Sequence, residues 1–167
     1  CVALYAVLGL KNFFDIELLK TYGKNGSDFM NHISHKVPGV EFSTGSLGHG
    51  LPYAVGIALG NKLKKIDSKV YVILGDGEVA EGSNWEALLF ASHNKLDNLV
   101  IIIDRNRKII LGDTENLLSL EPIEDKWKSF GFEVSVVDGH SFDSLNKGFE
   151  IINNQNGKPK VVIANTV

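Results

Sequence analysis

The sequence is poor in features that define several classes of protein. Its single cysteine, Cys1, excludes an internal disulfide, and we expect the chain to work in a reducing cytoplasm. The apolar opening, residues 1–10, has no basic leader or small-residue cleavage site and is too short to cross a bilayer, so it predicts a core helix and no membrane association. The net charge is only −3, and the short basic run at 105–108 is typical of solvated loop charges, so we expect no nucleic-acid partner.

The length and composition predict one domain. The chain has 167 residues, of which 44% are hydrophobic, enough to build a substantial core. It begins without methionine inside an apolar run and ends in a strand-like stretch. We therefore expect a single unit that has been truncated at both ends.

Aliphatic runs alternate with segments of helical spacing along the chain. Predicted helices span residues 3–10, 15–22, 48–63, 125–131 and 142–153, and predicted strands span 69–74, 99–103, 132–137 and 160–164. A further helix is predicted to begin at Ser83, because Glu86 follows three residues later as in a capping box. This alternation predicts an α/β fold, with an open, mostly parallel sheet and helices on both faces.

Two polar residues directly follow predicted strands. Gly75-Asp76-Gly77 ends the first strand, and Asn106 lies thirty positions beyond Asp76, after the second strand. Because ligands of open parallel sheets bind beyond the carboxyl ends of strands, the two side chains converge if their strands are neighbours. Asp-Gly is also typical of a hairpin turn, but the helical pattern that follows indicates a strand-to-helix loop.

A metal ion would reconcile the two properties of this loop. A glycine-rich loop at the start of a helix favours an anion, whereas Asp76 adds negative charge there. A bound cation resolves the conflict, since the carboxylate holds the metal and the metal holds a phosphate. Magnesium takes about six oxygens, which Asp76, Asn106, a carbonyl near Lys108, a diphosphate and water can supply. No Gly-Lys-Ser/Thr follows the turn, so the loop is not a P-loop.

The spacing from Gly-Asp-Gly to the asparagine is similar to the thiamine-diphosphate signature. In addition, PGVEFSTGSLGHGLPYAVGIAL, which begins at Pro38, closely resembles the transketolase family. CVALYAVL and LEPIEDKWKSFGFEVSVVDGH extend this resemblance over nearly the whole chain. It implies the thiamine-diphosphate-binding fold, with residues 1–167 forming a single diphosphate-binding module. That module is either the amino-terminal part of a transketolase or the amino-terminal subunit of a split one.

The resemblance also implies roles for individual residues. The metal ligands are expected to be Asp76, Asn106 and, through its carbonyl, Lys108. The residues expected to bind the cofactor are Gly45, Leu47, Gly75, Asp76, Gly77 and Asn106. Two residues are expected to serve catalysis: Glu81, which corresponds to a carboxylate that couples two sites across an interface, and His32, which corresponds to a histidine near the substrate hydroxyls. Glu81 as a helix N-terminal acid and His32 as an ordinary loop histidine remain alternatives.

The implied activity is that of a transferase of carbohydrate metabolism. With thiamine diphosphate and magnesium, the family transfers a two-carbon ketol unit between sugar phosphates. The glutamate that activates the cofactor lies on a pyrimidine-binding module, usually of a partner chain, and no residue here corresponds to it. We therefore expect the partner to be a pyrimidine-binding (C-terminal) module or subunit, the assembly to be a dimer or heterotetramer, and this chain to be inactive alone.

Two other functions stay open. The family's two phosphate-contacting histidines fall outside the chain, which favours a non-catalytic remnant or binding module that retains the fold. The intact register of the metal ligands favours the enzyme subunit instead. A ketoacid-dehydrogenase or synthase subunit would share the Gly-Asp-Gly to Asn spacing but is not expected to carry PGVEFSTGSLGHG.

Overall fold

The computed structural model describes all 167 residues. They form two compact units, Cys1–Leu47 and Gly48–Val167, which are described separately. The assignment of residues 1–167 to one module truncated at both ends stays a prediction. The longest helix has fourteen residues, and no helix is both long and apolar enough to cross a membrane.

The first unit is mostly irregular chain around a small aromatic core. Helix α1 (Val2–Leu10) confirms that the apolar opening is helical, but only Tyr5, Leu8 and Gly9 are buried, so the prediction of a core helix is wrong. Tyr5, Phe29 and Val37 form the buried core, and the rings of Tyr5 and Phe29 meet edge to face at 5.3 Å.

The predicted helix over 15–22 is wrong in type. A 3₁₀ helix spans Ile16–Thr21, and the Asp15 carboxylate caps it by accepting a hydrogen bond from the Glu17 N–H at 3.0 Å. None of its residues is buried. Without an apolar face packed on a core, so short a segment has little to stabilise a regular α-helix.

The second unit contains an alternation of strands and helices. Its helices are α2 (Gly50–Leu63), α3 (Asp76–Val79), α4 (Gly82–His93), α5 (Thr114–Leu117), α6 (Ile123–Ser129) and α7 (Phe142–Gly148), with a 3₁₀ helix at Phe149–Asn153. Its strands are β1 (Val70–Gly75), β2 (Leu99–Arg105), β3 (Lys108–Ile109), β4 (Gly112–Asp113), β5 (Glu133–Asp138) and β6 (Lys160–Asn165). The four long strands confirm the predicted ones, with bounds shifted by at most two residues.

The fold class is confirmed by the sheet topology. The main sheet has the order β1-β2-β6-β5, and every neighbouring pair is parallel. The short strands β3 and β4 form a separate antiparallel hairpin directly after β2. Because parallel strands need crossover connections, helices come to lie on both faces of the sheet.

Alternate residues of β6 serve the two faces of the sheet. Val161 and Ile163 belong to the large core, which α2, α4 and α6 cover. Val162 and Ala164 belong to a smaller core on the other face, packed against residues from α7 and the 3₁₀ helix that follows. The period of two along a strand thus places apolar side chains in both cores, as the unbroken aliphatic runs indicate.

The predicted capping box at Ser83 is wrong. Helix α4 begins one residue earlier, with Glu81 at the N-cap, so Ser83 is the second helical residue. Its hydroxyl instead donates a hydrogen bond to the Gly48 carbonyl at 2.6 Å. Ser83 therefore joins the start of α4 to the segment before α2.

Three other helix predictions have bounds that are shifted by at least two residues, and the helix predicted over 48–63 begins at Gly50. The helix predicted over 125–131 begins earlier, at Ile123, whose N–H donates to the Glu121 carboxylate at 3.0 Å. The helix predicted over 142–153 changes to a 3₁₀ helix after Gly148. A Cβ at Gly148 would lie 2.2 Å from a methyl of Val137, so glycine permits the close approach of α7 to β5.

Candidate functional site

The carboxyl ends of β1 and β2 lie side by side. The two strands are parallel neighbours, and their register pairs Gly75 with Asp104. Asp76 and Asn106 therefore leave adjacent strands at the same edge of the sheet. The sequence predicts that the two side chains converge if their strands are neighbours, and the two strands are neighbours.

Asp76 is buried, and its two oxygens have different surroundings. Its Oδ2 accepts hydrogen bonds from the Arg105 guanidinium at 3.0 Å and from the Arg107 N–H at 2.5 Å. Its Oδ1 is buried and has no hydrogen-bond partner in the protein. The residues on either side of Asn106 thus both hold Asp76, which brings the loop after β2 against the loop after β1.

Burial dominates the electrostatics of this carboxylate. Desolvation raises the pKa of Asp76, while the hydrogen bond and charge of Arg105 oppose that rise. Burial alone would lower the pKa of Arg105, but hydrogen bonds to Glu121, Glu115 and Asp76 outweigh it and raise that pKa. The guanidinium therefore stays charged, and Asp76 is a partly compensated buried acid with one oxygen unused.

The available oxygens fit a magnesium ion that also binds a phosphate. Asp76 Oδ1 lacks a partner, and the amide oxygen of half-buried Asn106 accepts only the Lys108 N–H, at 2.9 Å, which leaves it a second lone pair. Lys108 begins β3, and its ammonium pairs with the exposed Asp113 side chain. No group of three or more His, Cys, Asp or Glu residues is placed to hold a metal ion. A site with one carboxylate suits Mg²⁺ whose remaining ligands come from phosphate and water.

The two loop glycines leave different amounts of space. A Cβ added to Gly75 would meet no atom within 4 Å, so its backbone borders open space. A Cβ added to Gly77 would lie 3.2 Å from a methyl group of Ile109, which packs over the loop. Because glycine has no side chain, a ligand can approach the backbone at Gly75, and the β3–β4 hairpin can pack against Gly77.

Glu81 and its neighbour Glu78 lie at the entrance to α4. Glu81 is exposed and occupies the N-cap position, although its side chain makes no capping hydrogen bond. Glu78 accepts the Gly48 N–H at 3.2 Å, and burial raises the pKa of Glu78. The carboxylate of Glu81 is thus left facing solvent.

Three of the predicted site residues lie in the first unit. The imidazole of exposed His32 lies over Gly45, where an added Cβ would be 3.4 Å from the ring carbon Cγ. The Tyr5 hydroxyl donates to the His32 carbonyl at 3.3 Å, which fixes the backbone there. The side chain of Leu47 is half exposed. The structure therefore brings His32 and Gly45 together.

Arg105 contradicts the prediction that the basic run at 105–108 is solvated. It is only 1% exposed, whereas Arg107 and Lys108 are exposed. Its position in β2 could have revealed this, because Ile101, Ile103 and Arg105 alternate along one buried face. The run of charges indicates a solvated loop only when the period of two along the strand is left out of account.

The family model of the transketolase, thiamine diphosphate binding domain matches residues 1–167. The chain is 45% identical, over 99% of its own length, to one of the subunits of the apulose-4-phosphate transketolase of Phocaeicola vulgatus. It is 41% identical to the 6-deoxy-6-sulfo-D-fructose transketolase subunit SqwG of a Clostridium species. It spans 59% and 60% of those curated relatives.

A solved structure gives the same result. The crystal structure of the transketolase from Campylobacter jejuni superposes with a TM-score of 0.91 at 35% identity, over 98% of this chain and 27% of that one. The similarity thus extends from sequence to fold over nearly all of this chain.

Proposed function

Because the chain belongs to the family of the transketolase thiamine-diphosphate-binding domain, we propose that it is the cofactor- and magnesium-binding part of a transketolase. Paired with a pyrimidine-binding module, it transfers a two-carbon ketol unit between sugar phosphates. The observation that carries this proposal is the buried, unpartnered Oδ1 of Asp76 at the shared carboxyl edge of β1 and β2.

The proposal gives each residue of the site a role. Asp76 and Asn106 bind magnesium through side-chain oxygens, and Lys108 binds it through its carbonyl. The backbone at Gly75 and Gly77 meets the diphosphate, while that at Gly45 and Leu47 meets the thiamine part. When bound, thiamine diphosphate supplies the nucleophilic carbon that accepts the two-carbon unit. The protein orients the cofactor and neutralises its phosphates.

The remaining roles concern substrate and partner. His32 donates to or accepts from substrate hydroxyls, and exposed Glu81 faces a pyrimidine-binding module across a subunit interface. Two of the relatives are named as transketolase subunits, and the chain spans only 59% and 60% of them. A second chain that completes the site, in a dimer or heterotetramer, follows from this proposal. A cytoplasmic location stays a prediction.

The proposal is tested by calorimetric titration of thiamine diphosphate into the chain, with and without magnesium. We expect heat that depends on magnesium and that Asp76→Ala and Asn106→Ala each abolish. Asp138→Ala is the matched control, because Asp138 is an exposed carboxylate at the carboxyl end of β5 in the same sheet. Its binding should equal that of the unaltered chain.

If the titration shows no binding, a longer chain decides what that result means. If the 167 residues give no heat, the titration is repeated with the coding sequence extended at both ends and with the pyrimidine-binding partner present. Continued absence of magnesium-dependent binding would overturn the cofactor assignment and leave a non-catalytic module that retains the fold.

A further inference from the structure

Arg105 is a buried cation that joins four side chains. Its Nη1 donates to Asp76 Oδ2 at 3.0 Å and to Thr114 Oγ1 at 3.1 Å. Its Nη2 donates to the carboxylates of Glu115 at 2.7 Å and Glu121 at 2.8 Å. The guanidinium is 1% exposed, so these contacts take place largely out of water. One residue at the end of β2 therefore connects the proposed metal ligand to the segment that follows the β3–β4 hairpin.

The contact with Asp76 decides which carboxylate oxygen is free. Oδ2 is occupied by two donors, the Arg105 guanidinium and the Arg107 N–H. Oδ1 has neither donor, although it is equally removed from solvent. A carboxylate held in this way offers a metal a single oxygen in a fixed direction. Such outer contacts set the orientation of metal ligands in proteins generally.

The contacts with Glu115 and Glu121 reach the outer side of the site. Glu115 lies in α5, and the side chains of Glu115 and Glu121 are 30% and 43% exposed. Thr114, which begins α5, also donates its N–H to the Arg107 carbonyl at 3.0 Å. Residues 107–121 are thus attached to the guanidinium at three points beyond Asp76. A change in the order of Thr114, Glu115 or Glu121 would therefore reach Asp76 through Arg105, in addition to the direct hydrogen bond from the Arg107 N–H.

We propose that Arg105 is a positioning residue that presents Asp76 Oδ1 to magnesium and couples the 107–121 segment to occupancy of the site. This inference rests on the proposed function, since it assumes that magnesium and a diphosphate bind there. Coupling is reciprocal: if binding orders the segment, then weakening the segment's hold on Arg105 must weaken binding.

The test compares two buried cations of the same sheet. Arg105→Met removes the connection at the carboxyl edge. Lys160→Met is the matched control, because fully buried Lys160 donates to Glu133 at 2.8 Å and Asn156 at 2.6 Å at the amino end of β6. Magnesium is titrated into each variant at saturating thiamine diphosphate, at a temperature where circular dichroism shows it folded. We expect the magnesium concentration for half-saturation to rise at least about tenfold in Arg105→Met and to be unchanged in Lys160→Met.

Hydrogen exchange supplies a second reading that is independent of activity. Adding magnesium and thiamine diphosphate to the unaltered chain should slow amide exchange across residues 107–121. In Arg105→Met that protection should be lost even at ligand concentrations that restore saturation. If the role of Arg105 were purely structural, Arg105→Met would lower the stability of the chain. A saturated site would then still protect residues 107–121 from amide exchange.

Glu121→Gln keeps the inference testable if Arg105→Met does not fold. Glu121 is the more exposed acceptor, and glutamine retains its carbonyl while removing its charge. We expect a smaller rise in half-saturating magnesium, about twofold to fivefold, with partial loss of protection. Unchanged magnesium affinity and protection in the variants that fold would overturn the inference alone. Absence of binding by the unaltered chain and its partner would overturn the proposed function as well.

Discussion

Gly48 adopts a backbone conformation that is strained for any other residue. Its φ is +77°, and an added Cβ would lie 2.5 Å from Ser83 Oγ and 2.6 Å from Glu81 Cβ. Its N–H and carbonyl are also held by Glu78 and Ser83. We expect Gly48→Ala to lower the free energy of unfolding by at least about 1–2 kcal/mol, from the left-handed conformation alone, as measured by urea unfolding.

The control for this substitution is Gly56→Ala. Gly56 lies inside α2, and an added Cβ there would meet nothing within 4 Å. Alanine should therefore stabilise the helix by about 0.5–1 kcal/mol. Equal effects at the two positions would mean that neither the backbone angle nor the Ser83 contact constrains Gly48.

Glu115 is a residue whose protonation should link acid to unfolding. Hydrogen bonds from Ser119, Arg105 and Thr114 lower the pKa of Glu115 from the usual 4.5 to about 2, against the opposing effect of burial. The unfolded chain takes up this proton first as the pH falls. The stabilisation is therefore complete above about pH 4.5 and is lost towards about pH 2.

Glu115→Gln should accordingly flatten the pH dependence of stability. In that window its free energy of unfolding should decline less steeply than that of the unaltered chain, as measured by urea unfolding at successive pH values. Glu17→Gln serves for comparison, since Glu17 pairs with Lys20 on the surface, where ion pairs contribute little. Parallel curves for Glu115→Gln and the unaltered chain would contradict the proposed linkage.

Asp76 and Arg105 mark the limit of what sequence alone reveals about the site. Asp76 and Asn106 could be located because each follows an aliphatic run, and the end of a parallel strand is where ligands bind. The unpartnered Oδ1 of Asp76 and the contact between Asp76 and the Arg105 guanidinium could not be located in this way. Both depend on which strand is the neighbour of β1, and no local pattern encodes strand order.

At the scale of elements, the predictions are accurate where the local sequence pattern is strong. The strands were predicted well because runs such as Leu99–Arg105 are rich in β-branched residues that suit a strand buried on both faces. The α-helix predicted over 15–22 is wrong because the polarity pattern of this segment does not reveal whether a core will cover it. The capping box predicted at Ser83 is wrong because a hydroxyl near a helix start can either cap the helix or donate to a distant carbonyl. The tertiary fold determines which of the two occurs.

The β3–β4 hairpin was not predicted, and it shapes the site. Its strands have two residues each, too short to give a period. Ile109 nonetheless packs over Gly77, while Ile110 and Leu111 at the turn are 100% and 82% exposed. A short element with one apolar residue turned inward and two turned outward thus places an uncovered apolar surface beside the proposed metal ligands.

At the scale of the molecule, the order β1-β2-β6-β5 explains why residues far apart in sequence meet. It places β1 against β2, so the loops after them share one edge, and it places β6 between β2 and β5. The α/β class was predictable from alternation, but this order was not. The sheet therefore assembles the proposed diphosphate half of a site, while the chain spans only part of its curated relatives.

The chain is expected to have little activity when it is alone. At the carboxyl edge of the main sheet Asp76 and Arg105 are engaged with each other. The family resemblance implies that the activating glutamate lies on the partner module. General acid–base assistance is worth about 100-fold to 10,000-fold, so two-carbon transfer from a ketose phosphate should be at least about 100-fold slower without a pyrimidine-binding partner.

The measurement follows product formation by the chain alone, by the partner alone and by both together, with saturating thiamine diphosphate and magnesium. Activity should appear only with both, and Asp76→Ala in this chain should remove it, whereas Asp138→Ala should not. Full activity of the chain alone would show that it contains its own activating group, and the search for that group would begin at Glu81. Activity of the partner alone would show that this chain is not the catalytic half of the pair.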